Sequence, residues 1–204
     1  MKILVVNSSP MGDASVSRRL TQKLVDEWVQ KNPEAQVIDR DIVAEPLPHL
    51  DGAILGAFFT PDDQRTPEQV QAAAKSDQLI AEVFDADVIV FGIPMHNFGL
   101  PSSLKAYIDH VARAGKTFQY TANGPEGLVT GKKVFVISAR GGDYSEDSPM
   151  AALDFINPYM KTVLGFLGMQ DVTLIGANGL AISDEEKQKS VQKAEEQVQL
   201  AVAA

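Results

Sequence analysis

The chain has no cysteine, which excludes disulfide frameworks, thiolate zinc sites and cysteine nucleophiles and suits a reducing, cytoplasmic setting. Positive charge is also short. Lys and Arg number 18 against 27 Asp and Glu, a net charge of -9, and no basic stripe gathers on any segment, so nucleic acid is not an expected partner. No apolar run approaches the length of a membrane span, and the first one stops at Asn7, too early for a signal peptide. The histidines, His49, His96 and His110, are far apart, with no H-E-x-x-H pair or carboxylate at ligand spacing, which argues against a metal site. A G-x-S-x-G elbow is missing, and so is the G-x-G-x-x-G spacing that lets a backbone approach a pyrophosphate.

What is present is an alternation. Over 204 residues with 45% hydrophobic content, strand-length apolar runs alternate with longer helical periods, the pattern of one α/β domain spanning 1–204. Five strands are expected: Lys2 to Asn7, Gln36 to Asp41, Asp87 to Ile93, Lys133 to Ala139 and Asp171 to Ala177. Helices are expected over Ser17 to Gln30, Thr66 to Phe84, Pro101 to Ala114, Ala151 to Leu167 and Asp184 to Val202. This alternation predicts a doubly wound, flavodoxin-like parallel sheet of order 2-1-3-4-5 with helices on both faces, its ligand crevice beyond the carboxyl ends of the first and third strands.

Both loops at that switch point are unusual. After the first strand come Ser8, Ser9, Ser15 and Ser17, hydroxyls added to the free N–H groups of a helix start, which suit a dianionic phosphate and point to a mononucleotide such as FMN. The alternative is an ordinary serine-rich capping loop. After the third strand runs Pro94-Met95-His96-Asn97-Phe98-Gly99, where amides near Asn97 and Phe98 can face a flat ring while Met95 and Phe98 pack on it. A third candidate is Arg140-Gly141-Gly142 after the fourth strand, where two glycines allow close approach of main-chain donors to the pyrimidine edge of a flavin.

Two stretches exceed a minimal sheet. The connection from Ile42 to Arg65 holds Ile54, Leu55, Phe58 and Phe59, apolar side chains whose natural cover is a subunit interface, with burial in the chain's own core as the alternative. From Gly115 to Gly131, Phe118 and Tyr120 flank Gln119 before the turn Asn123-Gly124-Pro125, a short hairpin with its aromatics on one face.

On Ser8-Ser9, Ser15-Val16-Ser17, Pro94 to Phe98, Phe118 to Leu128 and Arg140-Gly141-Gly142, the chain resembles the FMN-dependent NADH azoreductases, also described as NADH:quinone oxidoreductases. The resemblance implies that Ser9, Ser15, Val16 and Ser17 hold the FMN phosphate. It also implies that Pro94, Met95, His96, Asn97 and Phe98 line the isoalloxazine and that Ala139, Arg140, Gly141 and Gly142 meet its pyrimidine side. Phe59, Phe118 and Tyr120 are expected at the acceptor. NADH or NADPH is the implied co-substrate, quinones and azo compounds the implied acceptors, and a homodimer with sites at its interface the implied assembly. No catalytic side chain is expected, since the flavin N5 carries the chemistry by two-electron ping-pong hydride transfer. The chain departs from the family at His96, commonly Tyr, at Ala139, often Ser, and at Val16, often Gln. Two rivals stand beside this reading: a flavodoxin-type electron carrier without enzymatic activity, and a flavin-free scaffold.

Overall fold

The structure is a computed structural model, and it describes residues 1–203. The five expected strands are present as β1 (Lys2–Asn7), β2 (Gln36–Asp41), β3 (Val88–Pro94), β6 (Lys133–Ala139) and β7 (Asp171–Ala177), with β4 (Phe118–Thr121) and β5 (Gly124–Gly127) between the third and fourth. The main sheet is parallel throughout and runs β2-β1-β3-β6-β7, the expected 2-1-3-4-5 once the intervening hairpin strands are set aside. β4 and β5 pair with each other alone, antiparallel, as the hairpin signal predicts.

The helices are α1 (Val16–Lys31), α2 (Gly52–Phe59), α3 (Pro67–Asp85), α4 (Ser102–Val111), α5 (Ile156–Leu167) and α6 (Asp184–Ala203). Alternation along the strands explains the layers. In β1, Leu4 and Val6 face the core under α3, α4 and α5, while Ile3 and Val5 face the core under α1 and α6. All four are at most 4% exposed, and each buried aliphatic side chain contributes about 1.5–3 kcal/mol. The capping box of α3 is complete: Thr66 accepts from the Gln69 amide, and Gln69 reaches back to the Thr66 amide.

Four expectations change. α4 stops at Val111, short of Ala114, and α5 starts at Ile156, because Ala151–Leu153 forms a separate 3-10 turn. The connection after β2 is not a bare loop, since Asp51 caps the added helix α2 by accepting from the Ile54 amide at 2.8 Å. Its apolar side chains also divide. Ile54 and Ala57 are buried against the chain's own elements, Phe58 is half-buried, and Ala53, Leu55 and Phe59 are exposed. Among the described residues no helix is long and apolar enough to cross a membrane.

Candidate functional site

Three loops leave adjacent strands at their carboxyl ends and are tied to one another by main-chain bonds. Ser8, at the end of β1, donates its amide (3.1 Å) and its hydroxyl (2.8 Å) to the Gly92 carbonyl of β3. The Met95 amide donates to Ala139 O at 2.8 Å, joining the loop after β3 to the end of β6. The Phe155 amide donates to Phe98 O at 3.1 Å, and the Phe98 and Tyr144 rings meet edge to face at 6.4 Å. The serine segment, Pro94–Gly99 and Ala139–Gly142 thus surround one crevice at the switch point of the sheet.

The serine segment ends in the first turn of α1. Ser15 caps that helix by accepting from the Arg18 amide, and its hydroxyl lies 3.1 Å from that of Ser17. Ser9, Ser15 and Ser17 are buried, and Val16 is half-buried. The amides of Val16 and Ser17 have no acceptor within the helix, as the first positions of any helix must. Two unsatisfied donors, the positive helix end and neighbouring hydroxyls fit a phosphate.

The loop after β3 is a two-residue reversal. His96 and Gly99 exchange amide-to-carbonyl bonds at 3.0 Å in both directions, and both residues between them have left-handed backbones, Asn97 with φ 47 and Phe98 with φ 70. This is the geometry of a type I′ turn. Asn tolerates it, but Phe does not do so freely. Strain of this kind, about 1–3 kcal/mol, persists where the surroundings impose it and gathers at functional sites. The turn leaves the Asn97 and Phe98 amides without acceptors among the described residues and exposes the Phe98 ring. His96 is exposed, and its main chain alone is committed.

The third loop is pinned by its carbonyls, which leaves its amides available. Arg140 O, Gly141 O and Gly142 O accept from Leu180, Ala181 and Gly179 at 3.1, 2.9 and 2.8 Å, while the Gly141 and Gly142 amides have no acceptor among the described residues. The Arg140 side chain turns away from the crevice. It is 2% exposed and donates to Asp154 (3.0 Å) and Asn157 (2.8 Å). Its guanidinium lies over Gly176, where a Cβ would fall 2.8 Å from Nη1. Burial lowers its affinity for the proton, and Asp154 opposes that effect. Arg140 therefore offers a supporting strut and a main chain to the site.

The expected acceptor residues are elsewhere. Phe118 packs at a tilt against Phe166 of α5, ring centroids 4.5 Å apart, and meets Tyr120 edge to face at 5.7 Å, and Tyr120 is 75% exposed. The root of the hairpin is fixed at the amino end of the sheet. Val129 donates to Leu167 O, and Gly127 lies against Gly168, just ahead of β7. A Cβ on Gly127 would fall 2.1 Å from Gly168 N and 2.2 Å from Leu167 C, so only glycine allows this contact. The crevice is at the other end of the strands, which at about 3.3 Å per residue is roughly 20 Å away. Phe59 is 80% exposed at the end of α2. That helix is held by Arg113, just past α4, stacked over Phe58 at 4.2 Å, by His110 of α4 edge to face with Phe58, and by Arg65, just ahead of α3, donating to Ala57 O at 2.9 Å. Neither group of aromatics joins the chain's own crevice.

A cavity of about 590 Å³ opens on the outer side of β7, lined among others by Asn178, Lys193 and Gln197. It shares Arg140 and Tyr144 with the third loop but touches neither the serine segment nor Pro94–Gly99. The crevice, where free main-chain donors from three strands converge, is the better site.

Comparison with known proteins agrees with the fold. The family described as having the flavodoxin-like fold matches residues 1–202. The chain belongs to that family. It is 54% identical over 192 residues to an FMN-dependent NADH:quinone oxidoreductase of Herminiimonas arsenicoxydans, covering 94% of each chain. It is 48% identical over 204 residues to a protein of the same name from Bordetella petrii, covering 100% of this chain and 96% of that one. Among solved structures, an FMN-dependent NADH-azoreductase from Bacillus anthracis str. Ames Ancestor in complex with FMN superposes with a TM-score of 0.89 at 27% identity, over 99% of this chain and 97% of the other.

Arg18 and Asp41 beside the serine segment, Tyr144 against Phe98, and Asp154 beneath the third loop were not foreseen from the sequence. One signal was available for Arg18: a cation in the first turn of a helix opposes the helix dipole and implies a nearby partner.

Proposed function

We propose that this chain, as one domain over 1–204, is an FMN-dependent oxidoreductase that uses NADH or NADPH to reduce quinones and azo compounds in the cytoplasm. The observation that carries the reading is the set of acceptor-free amides on Val16, Ser17, Asn97, Phe98, Gly141 and Gly142 around one crevice. The chemistry that FMN supplies when bound is two-electron transfer between the nicotinamide and the acceptor.

The chain's own part is binding and electrostatics. Ser9, Ser15, Val16 and Ser17 hold the phosphate, by hydroxyls and by the amides that open α1. Pro94, Met95, His96, Asn97 and Phe98 form the wall beside the ring. Ala139 ties that wall to β6, and above the Arg140 strut the Gly141 and Gly142 amides donate to the pyrimidine edge, where negative charge grows on reduction.

The working unit in this reading is a homodimer. Tyr120 and Phe59 are the most exposed of the large apolar side chains, and neither lies at the chain's own crevice, so they serve a second copy's site. Phe118, half-buried under Tyr120, supports it there. Phe98 and Phe155 form the exposed apolar rim that would receive them.

Purified protein should consume NADH catalytically with menadione; a non-enzymatic carrier would not. Varying NADH and quinone together should give parallel double-reciprocal lines, because both substrates use one slot in turn. Intersecting lines would remove the ping-pong mechanism. Sedimentation should report a dimer, and a monomer with full activity would remove the shared-site reading.

A further inference from the structure

We propose that Arg18 is a positioning residue that holds the serine loop in its phosphate-receiving shape, so that losing it weakens binding of a phosphorylated flavin while leaving an unphosphorylated one untouched. The proposal rests on the reading of the crevice as an FMN site. Arg18 fastens the loop at both ends. Its Nε and Nη2 donate to Ser9 O at 3.0 and 2.7 Å, and its amide donates to Ser15 Oγ at 3.3 Å. Between these anchors Pro10 to Ala14 are all exposed, and the Ser9 carbonyl belongs to a peptide whose nitrogen is that of Pro10, so it has no N–H to fix it from the other side. Apart from the Met11 amide, which donates to Ser9 Oγ at 3.3 Å, the guanidinium is the contact that fastens Ser9 to the start of α1.

The guanidinium is itself aimed. Nη2 lies 2.8 Å from Asp41 Oδ2 at the end of β2, and the other oxygen of Asp41 accepts from the amides of Val43 and Ala44 at 3.0 and 3.1 Å. Burial opposes ionisation of Asp41, but those two amides and Arg18 outweigh it and hold the carboxyl below its ordinary value. A planar fork held between a fixed carboxylate and a fixed carbonyl is a task for arginine, since lysine presents a single point charge. The neighbouring Arg19 is exposed and supplies the same charge without the clamp.

The test uses full-length protein freed of flavin and titrated separately with FMN and with riboflavin, following the quenching of flavin fluorescence. For Arg18→Met the FMN Kd should rise about 10- to 100-fold, the range for charge-assisted hydrogen bonds, and the riboflavin Kd should stay the same. Arg18→Lys, which keeps the charge and disturbs folding least, should lose FMN affinity by a smaller factor, again without touching riboflavin. Equal losses for both flavins, or no loss in either variant, would overturn the proposal. So would an Arg19→Met variant that loses as much FMN affinity as Arg18→Met, because remote charge would then suffice. A failure of the underlying reading would show earlier and differently: the unaltered protein would bind FMN no better than riboflavin, and the proposal would fall with it.

Discussion

In the proposed reading, the two ends of the sheet recognise their partners by different means. At the carboxyl end, the crevice offers main chain: amides freed by a helix start, a left-handed turn and a glycine pair, each held by hydrogen bonds to the next strand. At the amino end, the hairpin offers side chains, Phe118 and Tyr120, on a two-stranded ribbon fastened by one close glycine contact. Main-chain donors depend on the path of the chain, so they tolerate substitution wherever the path survives. Side-chain surfaces change with every substitution. A cofactor that never varies belongs with the first kind of site, and acceptors that vary belong with the second.

The largest effect should come from beneath the crevice. Asp154→Ala would leave the Arg140 guanidinium buried without its carboxylate, at a cost of about 3–5 kcal/mol. The loop carrying Gly141 and Gly142 should loosen with it. Thermal unfolding and the FMN Kd should both worsen. Unchanged FMN affinity in a destabilised protein would show that the strut is irrelevant to the site and would break the contrast at its firmer end.

Gly127→Ala should come next and act at the other end. The added Cβ would meet backbone atoms of Leu167 and Gly168 at 2.1–2.2 Å, which cannot yield as a side chain does, so overpacking of about 1–3 kcal/mol is expected. Hydrogen exchange should speed up across 115–131 and quinone reduction should fall, with FMN still bound. Loss of FMN in this variant would mean that the two ends are not separate.

Phe98→Gly places the contrast within one residue. Removing the left-handed strain should stabilise the fold, by about 1 kcal/mol after the flexibility of glycine is counted, or roughly 2–4 °C in Tm for a chain of this size. Losing the exposed ring should slow acceptor reduction. A destabilised variant would show that Phe98 is held by packing that outweighs its backbone cost.

The same division governs what the sequence reveals. The central strands β1, β3 and β6 were legible because they are buried on both faces and read as near-continuous apolar runs, Val88 to Ile93 for example. The crevice loops were legible because the topology fixes where they must fall. α2 was not, because Gly52 to Phe59 is apolar on every side and carries glycines at 52 and 56, which leaves no helical period to find. Its helix depends on docking against α3 and α4. The Arg18 and Arg140 networks were equally hidden, since their side chains join residues 9 to 38 positions apart. Nor does any rule of residue preference place Phe98 at φ 70.

His96→Tyr should have the smallest effect and tests the contrast most sharply. His96 uses its amide and carbonyl to close the turn with Gly99, and its ring is exposed. Any residue that keeps the extended bridge should support the same amides at Asn97 and Phe98. The FMN Kd is therefore expected to change less than about threefold, under 1 kcal/mol, and Tm by no more than about 1–2 °C, since an exposed substitution usually lies within about 0.5 kcal/mol. The ratio of rates between small and large quinones should shift, because the pocket wall has changed size and polarity. If FMN affinity moves more than the acceptor ratio does, cofactor recognition depends on the imidazole, and the crevice is no less a side-chain site than the hairpin.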